Sequence, residues 1–143
     1  MSAGYSGTPL PKKLGIKEGH ALASIGAPDH FSDLLTELPR GVVLKRTPRG
    51  PGRFDVIVAF VRSERELEKR FGRAMALLDP FGGLWIAWPK QSSRLATDLK
   101  ESHVRKHGLS TGLVDNKICA IDADWSGLRF VVRTENRPSK TRS

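Results

Sequence analysis

Residues 54–90 constrain the fold more than any other part of the chain. They read FDVIVAFV, then RSERELEKRFGRAMALLDPFGG, then LWIAWPK. The first and last segments are apolar without alternation, which is typical of parallel strands that are covered on both faces. Between them, apolar residues recur at helical spacing. The pattern predicts a βαβ unit and therefore an α/β protein with a mostly parallel sheet and helices on both faces.

The helix within this unit has a clear start signal. Ser63 and Glu66 have the S-x-x-E spacing of a capping box, in which each side chain satisfies a backbone N–H of the first turn. Glu66 and Arg70 then share the outer face at i, i+4. We predict that residues 79–83 (DPFGG) end the helix, and that both tryptophans of the strand at 84–88 belong to the core.

The remaining patterns predict a compact α/β domain that ends in an antiparallel hairpin. Residues 1–19 are predicted to be an N-terminal arm, 20–135 a single domain and 136–143 a basic tail. The further predicted elements are a strand at 20–26, a helix capped by Asp29, a strand at 42–45, a helix from residue 97 or 98 to Gly108, and hairpin strands at 117–121 and 128–133.

The connection between the second and third strands is short. Only residues 47–53 are free to make it, and at ~3.3 Å per residue they span ~23 Å at most. That length crosses one short strand but leaves no room for a crossover helix. The sequence therefore leaves open whether the strand at 42–45 is parallel, irregular or antiparallel.

Composition excludes several classes of protein. The chain has 143 residues, with 38% apolar and 27% charged side chains, as expected for one globular domain. Cys119 is the single cysteine, which excludes an internal disulfide and a multi-cysteine metal site, and we expect it to pack as a small hydrophobe. No apolar run is long enough to span a membrane, and no signal-peptide pattern is present, so a cytoplasmic protein is expected.

Sequence motifs for metal binding and catalysis are weak or absent. His103 and His107 are spaced i, i+4, but the segment HVRKH lacks the glutamate of H-E-x-x-H and a third ligand, so no metal site is predicted. The chain contains no G-x-x-x-x-G-K-[ST] phosphate loop and no nucleophile elbow. Without such motifs, the sequence identifies no catalytic residue.

The net charge is +9, and part of it is concentrated in the short connector. Lys45, Arg46, Arg49 and Arg53 form a basic cluster with no acidic residue between them. Such a cluster can attract the phosphate backbone of a nucleic acid, as can the basic tail. No aromatic residue is interleaved to stack bases, which favours a solubilising role for the cluster.

Several segments of the chain resemble a known fold family. FDVIVAF followed by LLDPFGGLWIAWPK is similar to the second half of the S-adenosylmethionine-dependent methyltransferase fold, in which a helix ending in L-x-P-G-G lies between two strands. The chain resembles more closely a small bacterial family known as domain of unknown function number three thousand and fifty-two. The segments that carry this resemblance are YSGTPLPKKLGIKEG, GLWIAWPK, TGLVDNKICAID and WSGLRFVVR. The resemblance implies a Rossmann-like fold, and this small family has no assigned activity.

The sequence departs from methyltransferases where their cofactor binds. The first strand of that family ends in a glycine-rich turn, and the next strand ends in an acidic residue for the ribose. Here the turn is GAPD, residues 26–29, with Gly26 as its one glycine, and the next strand ends in Lys45 and Arg46. A cation at that position suits a phosphate better than a ribose diol. These departures disfavour S-adenosylmethionine as the cofactor and leave its identity unknown.

The fold class predicts where a ligand would bind. In open α/β sheets, ligands lie beyond the carboxyl ends of the strands, where the strand order reverses. The candidate ligand-binding residues at that edge are Gly26, Asp29, Ser63, Lys90 and Trp125, in preference to Asp115 and Lys117, which return to the opposite edge. Each has a purely structural alternative: a tight turn at Gly26, helix caps at Asp29 and Ser63, a solvated Lys90 and a core Trp125.

Three functional hypotheses follow. The first is a non-catalytic Rossmann-like binding or regulatory module for a phosphate-bearing or nucleotide-like ligand or a macromolecular partner. The second is a divergent S-adenosylmethionine-dependent methyltransferase. The third is a nucleic-acid-associated basic protein that uses the connector and the tail.

Overall fold

The computed structural model describes residues 7–139. The first six residues of the predicted arm and residues 140–143 of the predicted tail lie outside this part of the chain. In chain order, the elements are α1 (Leu10–Lys13), β1 (Ala21–Ile25), a 3-10 helix (Asp29–Leu35), β2 (Val43–Arg46), β3 (Phe54–Phe60), α2 (Glu64–Leu77), β4 (Leu78–Pro89), α3 (Glu101–Ser110), β5 (Val114–Ala120), β6 (Trp125–Val131) and a second 3-10 helix (Thr134–Asn136).

The strands form one six-stranded sheet in the order β2-β1-β3-β4-β6-β5. β1 to β4 are parallel to one another, whereas β6 is antiparallel to both β4 and β5. This topology confirms the predicted α/β fold with a mostly parallel sheet and a C-terminal antiparallel hairpin.

β2 is a regular parallel edge strand, so an irregular or antiparallel strand was the wrong alternative. In the paired strands, Ser24 is level with both Arg46 and Val58. Residues 47–53 must therefore return along about four residues of strand and cross two strand spacings, roughly 13 Å by 10 Å. Their ~23 Å reach is sufficient. The turn begins at Thr47, which has a φ of 44° and whose N–H donates to the Ser24 carbonyl at 2.6 Å.

The core has two layers, one on each face of the sheet. α2 and α3 cover one face, while α1 and the first 3-10 helix cover the other. Leu10 and Leu14, which belong to the predicted arm, are buried in this second layer, and the Trp85 indole N–H donates to the Leu14 carbonyl. Trp85 and Trp88 are both buried, as predicted.

Two helices differ from the prediction. The first helix is a 3-10 helix that begins at Asp29 after Pro28, and the Asp29 side chain makes no capping hydrogen bond. α3 begins at Glu101, later than the predicted start at residue 97 or 98, and it continues past Gly108 to Ser110, because Gly108 is where the helix meets the ring of Phe130 rather than where it ends. β4 starts at Leu78, directly after α2 and earlier than predicted.

Gly82 explains why β4 can start so early. A Cβ at this position would lie 2.6 Å from the Asp55 carbonyl oxygen of β3. Only a residue without a side chain allows the two backbones to approach this closely. The glycines of the DPFGG segment are therefore inside β4 and serve the pairing of β3 with β4 rather than the end of α2.

The capping box predicted for α2 is present in part: Ser63 caps the helix, but the Glu66 side chain accepts from the residue before the cap rather than from Ser63 itself. The Glu66 N–H donates to Ser63 Oγ at 3.1 Å, and the Arg62 N–H donates to Glu66 Oε1 at 2.8 Å. We expect Ser63→Ala to lower the free energy of unfolding by about 1 kcal/mol, measured by urea denaturation. Ser102→Ala, in the exposed first turn of α3, is the matched control and should change it by less than about 0.5 kcal/mol. Equal losses in the two variants would contradict this role for Ser63.

Candidate functional site

The strand order reverses between β1 and β3. From β1 the chain moves outward to β2, and it then returns to the other side of β1 to form β3. In open α/β sheets the carboxyl ends of two such strands border a crevice in which ligands bind. Gly26 directly follows β1, and Arg62 follows β3.

Two adjoining cavities lie at this reversal. The larger, about 250 Å³, is walled by the turn at 26–28 and by Arg62, Arg70 and Trp125. The smaller, about 120 Å³, shares the same turn and extends along the end of β2, where it is lined by Asp29, Arg46 and other residues. Together they reach the lower end of the size range of small-molecule sites, about 300–1,000 Å³.

Gly26 is required at its position for two reasons. Its φ of 67° lies in the left-handed region, and a Cβ there would lie 2.3 Å from Arg70 Nη1. Arg70 extends from α2 back over the turn, and its Nη1 donates to the carbonyl of Phe60, the last residue of β3, at 2.6 Å. Glu66 accepts from the same nitrogen at 3.5 Å, in the predicted i, i+4 pair. A guanidinium group is thereby fixed at the point of strand reversal.

Trp125 closes the larger cavity toward the core. Its side chain is 2% exposed, its ring meets Phe60 edge to face with centroids 5.0 Å apart, and the Arg62 guanidinium lies 5.4 Å from the indole centroid. Within residues 7–139, Trp125 Nε1 is the one buried side-chain nitrogen or oxygen without a hydrogen-bond partner. A buried donor without an acceptor costs about 1–3 kcal/mol.

The five candidate site residues are not all in one place. Gly26 and Trp125 line the larger cavity, and Asp29 lines the smaller one. Ser63 caps α2 and lines a wide groove next to these cavities. Lys90 lines none of the cavities formed by residues 7–139 that are described here, and its backbone N–H donates to the Asp124 carbonyl at 2.8 Å.

The basic cluster of the connector is divided by the fold. Arg46 lines the smaller cavity, and Arg49 lines the wide groove. Lys45 is exposed on β2, and Arg53 is exposed immediately before β3. Asp115 and Lys117 lie at the start of β5, at the opposite edge of the sheet, and Asp115 accepts from Arg105 Nε at 3.1 Å.

The sequence analysis missed one further pair at the ligand edge. His30 Nε2 lies 2.8 Å from Asp122 Oδ2. The second oxygen of Asp122 accepts from the backbone N–H groups of Asp124 and Trp125 at 2.8 and 2.9 Å, which fixes the carboxylate. The two residues of the pair are 92 positions apart, so no local pattern indicates that they meet.

The other residues with potential chemistry have structural contacts. His103 Nδ1 accepts from the Lys100 N–H, and His107 packs edge-on against Phe71. Burial raises the pKa of the Cys119 thiol and so favours its protonated form. Lys13 and Lys117 act in the opposite direction but more weakly. Within the described residues, no three histidine, cysteine or carboxylate side chains converge as a metal site would need, and no helix could span a bilayer.

The fold is shared with solved structures of methyltransferases. No protein-family model matches the chain, and no curated protein matches it in sequence. The chain is similar to DhpI in complex with S-adenosylhomocysteine, at a TM-score of 0.59 and 8% identity over 88% of this chain and 83% of that one. It is also similar to magnesium protoporphyrin IX methyltransferase from Synechocystis with bound S-adenosylmethionine, at a TM-score of 0.55 and 10% identity over 87% of this chain and 74% of that one. A third similar structure is the tRNA methyltransferase TrmK of B. subtilis, at a TM-score of 0.56 and 12% identity over 87% of this chain and 65% of that one.

These similarities correct two predictions. The preference for a non-catalytic module is wrong, because the chain shares its fold with solved methyltransferases, including one named as S-adenosylmethionine-dependent. The argument that a one-glycine turn disfavours S-adenosylmethionine is also wrong. Structures of this fold hold that compound or its product, and in the turn at 26–28 only Gly26 has a positive φ, so no second glycine is needed. The chain has the Rossmann-like fold of S-adenosylmethionine-dependent methyltransferases.

Proposed function

We propose that the protein is a divergent methyltransferase that binds S-adenosylmethionine at the strand reversal. The observation that carries this proposal is the larger cavity above Gly26, which is walled by the fixed guanidinium of Arg70 and by the buried Trp125 side chain. The resemblance to the small family of unknown function is compatible with this reaction and assigns no other. Membership of that family, a bacterial source and a cytoplasmic location stay predictions from the sequence.

The residues around the two cavities suit the polar groups of the cofactor. Arg70 uses Nη1 for Phe60 and Glu66, which leaves its other N–H groups for the carboxylate of the methionine part. Asp29 is exposed in the smaller cavity opposite Arg46, and its carboxylate can accept from ribose hydroxyls although β2 supplies a cation.

The chain's own residues have two tasks in this reaction. S-adenosylmethionine, when bound, supplies a methyl group activated by its sulfonium. Arg70, Trp125 and the turn at 26–28 bind and orient it, and the buried rings of Phe60 and Trp125 keep water from that side of the cavity.

Titration calorimetry with S-adenosylhomocysteine tests the proposal. We expect saturable one-to-one binding by the wild-type chain and at least tenfold weaker binding by Gly26→Ala, a loss of about 1.4 kcal/mol, because the added Cβ displaces Arg70.

Gly15→Ala is the matched control. Gly15 has a φ of 79°, so the variant has the same left-handed strain, but nothing lies within 4 Å of the added Cβ. Its affinity should equal that of the wild type once melting curves show that both variants are folded. Absence of saturable binding by the folded wild-type chain, to either S-adenosylhomocysteine or S-adenosylmethionine, would refute the proposal.

A further inference from the structure

The short connector leaves a groove on the α2 face of the sheet. Residues 47–53 contain no helix and cross β1 as one irregular segment. A space of about 1000 Å³ therefore remains between this segment and α2. Ile25 at the end of β1 lines it. Arg73 Nη2 donates to the Pro48 carbonyl, which fixes the connector to the helix at one end of the groove.

The groove is strongly cationic. Arg65, Lys69 and Arg73 are spaced i, i+4, i+8 along α2, so at 1.5 Å per residue they form a row roughly 12 Å long. Arg49 lies on the connector side, and Arg70 lies between the row and the cavity above Gly26. Within residues 7–139, Glu66 is the only acidic side chain that lines the groove.

The shape and chemistry of the groove select among anionic ligands. A row this long, with a further cation facing it, exceeds what a single phosphate needs. Within the described residues, Ile25 is the only large apolar side chain in the lining, so the groove offers little to the apolar side chains of a peptide. The lining also contains no aromatic side chain from these residues on which bases could stack, whereas its cations suit contacts to a phosphate backbone.

We propose that the groove binds the phosphate backbone of a nucleic acid, which makes a structured nucleic acid the substrate class of the proposed methyltransferase. The groove and the larger cavity share Glu66 and Arg70, so a strand held along α2 leads to the strand reversal. The substrate assignment rests on the proposed function, whereas the binding itself does not.

Fluorescence anisotropy with a short labelled RNA hairpin, measured over a series of KCl concentrations without cofactor, tests the binding. The test variant is the full-length triple substitution Arg49→Gln, Arg65→Gln, Lys69→Gln, and the matched control is Lys17→Gln, Lys106→Gln, Lys117→Gln. All six side chains are exposed, and both variants lose three charges. We expect the test variant to bind at least tenfold more weakly. The slope of the logarithm of the binding constant against the logarithm of the KCl concentration should become shallower by about 2–3, since each phosphate contact contributes about 0.9. The control should stay within about threefold of the wild type.

The outcomes separate this inference from the proposed function. Equal weakening in the two triple variants, displacement of the hairpin by poly-glutamate at equal charge, or no binding at low salt would overturn it. S-adenosylhomocysteine affinity, measured in the same test variant, should be unchanged because Gly26, Arg70 and Trp125 are intact. If the wild-type chain binds the hairpin but not S-adenosylhomocysteine, the proposed methyltransferase is refuted and nucleic-acid binding by the groove stands. If it binds S-adenosylhomocysteine but not the hairpin, only nucleic-acid binding by the groove is refuted.

Discussion

Replacing Trp85 by alanine is expected to lower the free energy of unfolding by about 3–5 kcal/mol. Trp85 lies in the middle of β4, is 0% exposed and packs in the layer beneath α1. Its indole N–H also donates at 3.1 Å to the carbonyl of Leu14, which is itself fully buried. The substitution therefore creates a cavity and leaves a buried carbonyl without its donor.

Trp85→Phe separates these two effects. The ring is largely kept, so the main loss is the hydrogen bond to Leu14, and we expect about 1–3 kcal/mol. Both variants are measured by urea denaturation followed by circular dichroism. Val43→Ala, on the exposed edge strand, is the control and should cost well below 1 kcal/mol. A loss for Trp85→Ala no larger than that for Val43→Ala would show that the layer beneath α1 is not packed as described.

Two helical glycines are expected to respond with opposite signs to the same substitution. At Gly108 in α3, an added Cβ would lie 2.0 Å from a ring carbon of Phe130, which is 0% exposed and also meets Phe71 edge-on. Gly108→Ala should therefore destabilise the protein by about 1–3 kcal/mol. Gly72 in α2 has no atom within 4 Å of an added Cβ, so Gly72→Ala should stabilise it by up to about 1 kcal/mol.

A double variant checks the cause. Phe130→Leu in the Gly108→Ala background makes room for the methyl group, so its cost should be smaller than in the wild-type background, and the two changes should not be additive. Gly108→Ala and Gly72→Ala are compared by chemical denaturation under identical conditions. A neutral or stabilising Gly108→Ala would mean that α3 is not held against Phe130.

The sequence predicts the centre of the sheet better than its edge. β3, α2 and β4 follow from local signals: uninterrupted apolar runs, a capping box and an amphipathic stripe. β2 has four residues with mostly exposed side chains, so no apolar pattern specifies its direction. Its parallel pairing with β1 depends on the length of residues 47–53, which the sequence alone left compatible with several arrangements.

The candidate site was predictable only in part. The strand order indicates the ligand edge, and from the edge follow the positions of Gly26 and Trp125. Arg70 was predicted as an outer-face residue of α2, but its contact with the Phe60 carbonyl depends on how its side chain bends over the turn. The pairing of His30 with Asp122 depends on the whole fold, because His30 follows β1 whereas Asp122 lies between β5 and β6.

The burial of all three tryptophans has an optical consequence. Trp85, Trp88 and Trp125 are each no more than 4% exposed, so the folded chain should emit at the short wavelengths typical of indoles shielded from water. Trp85 and Trp88 belong to β4 and report on the core. Trp125 lies at the edge of the larger cavity beneath the Arg62 guanidinium, and the chain therefore carries its own spectroscopic reporter at the strand reversal.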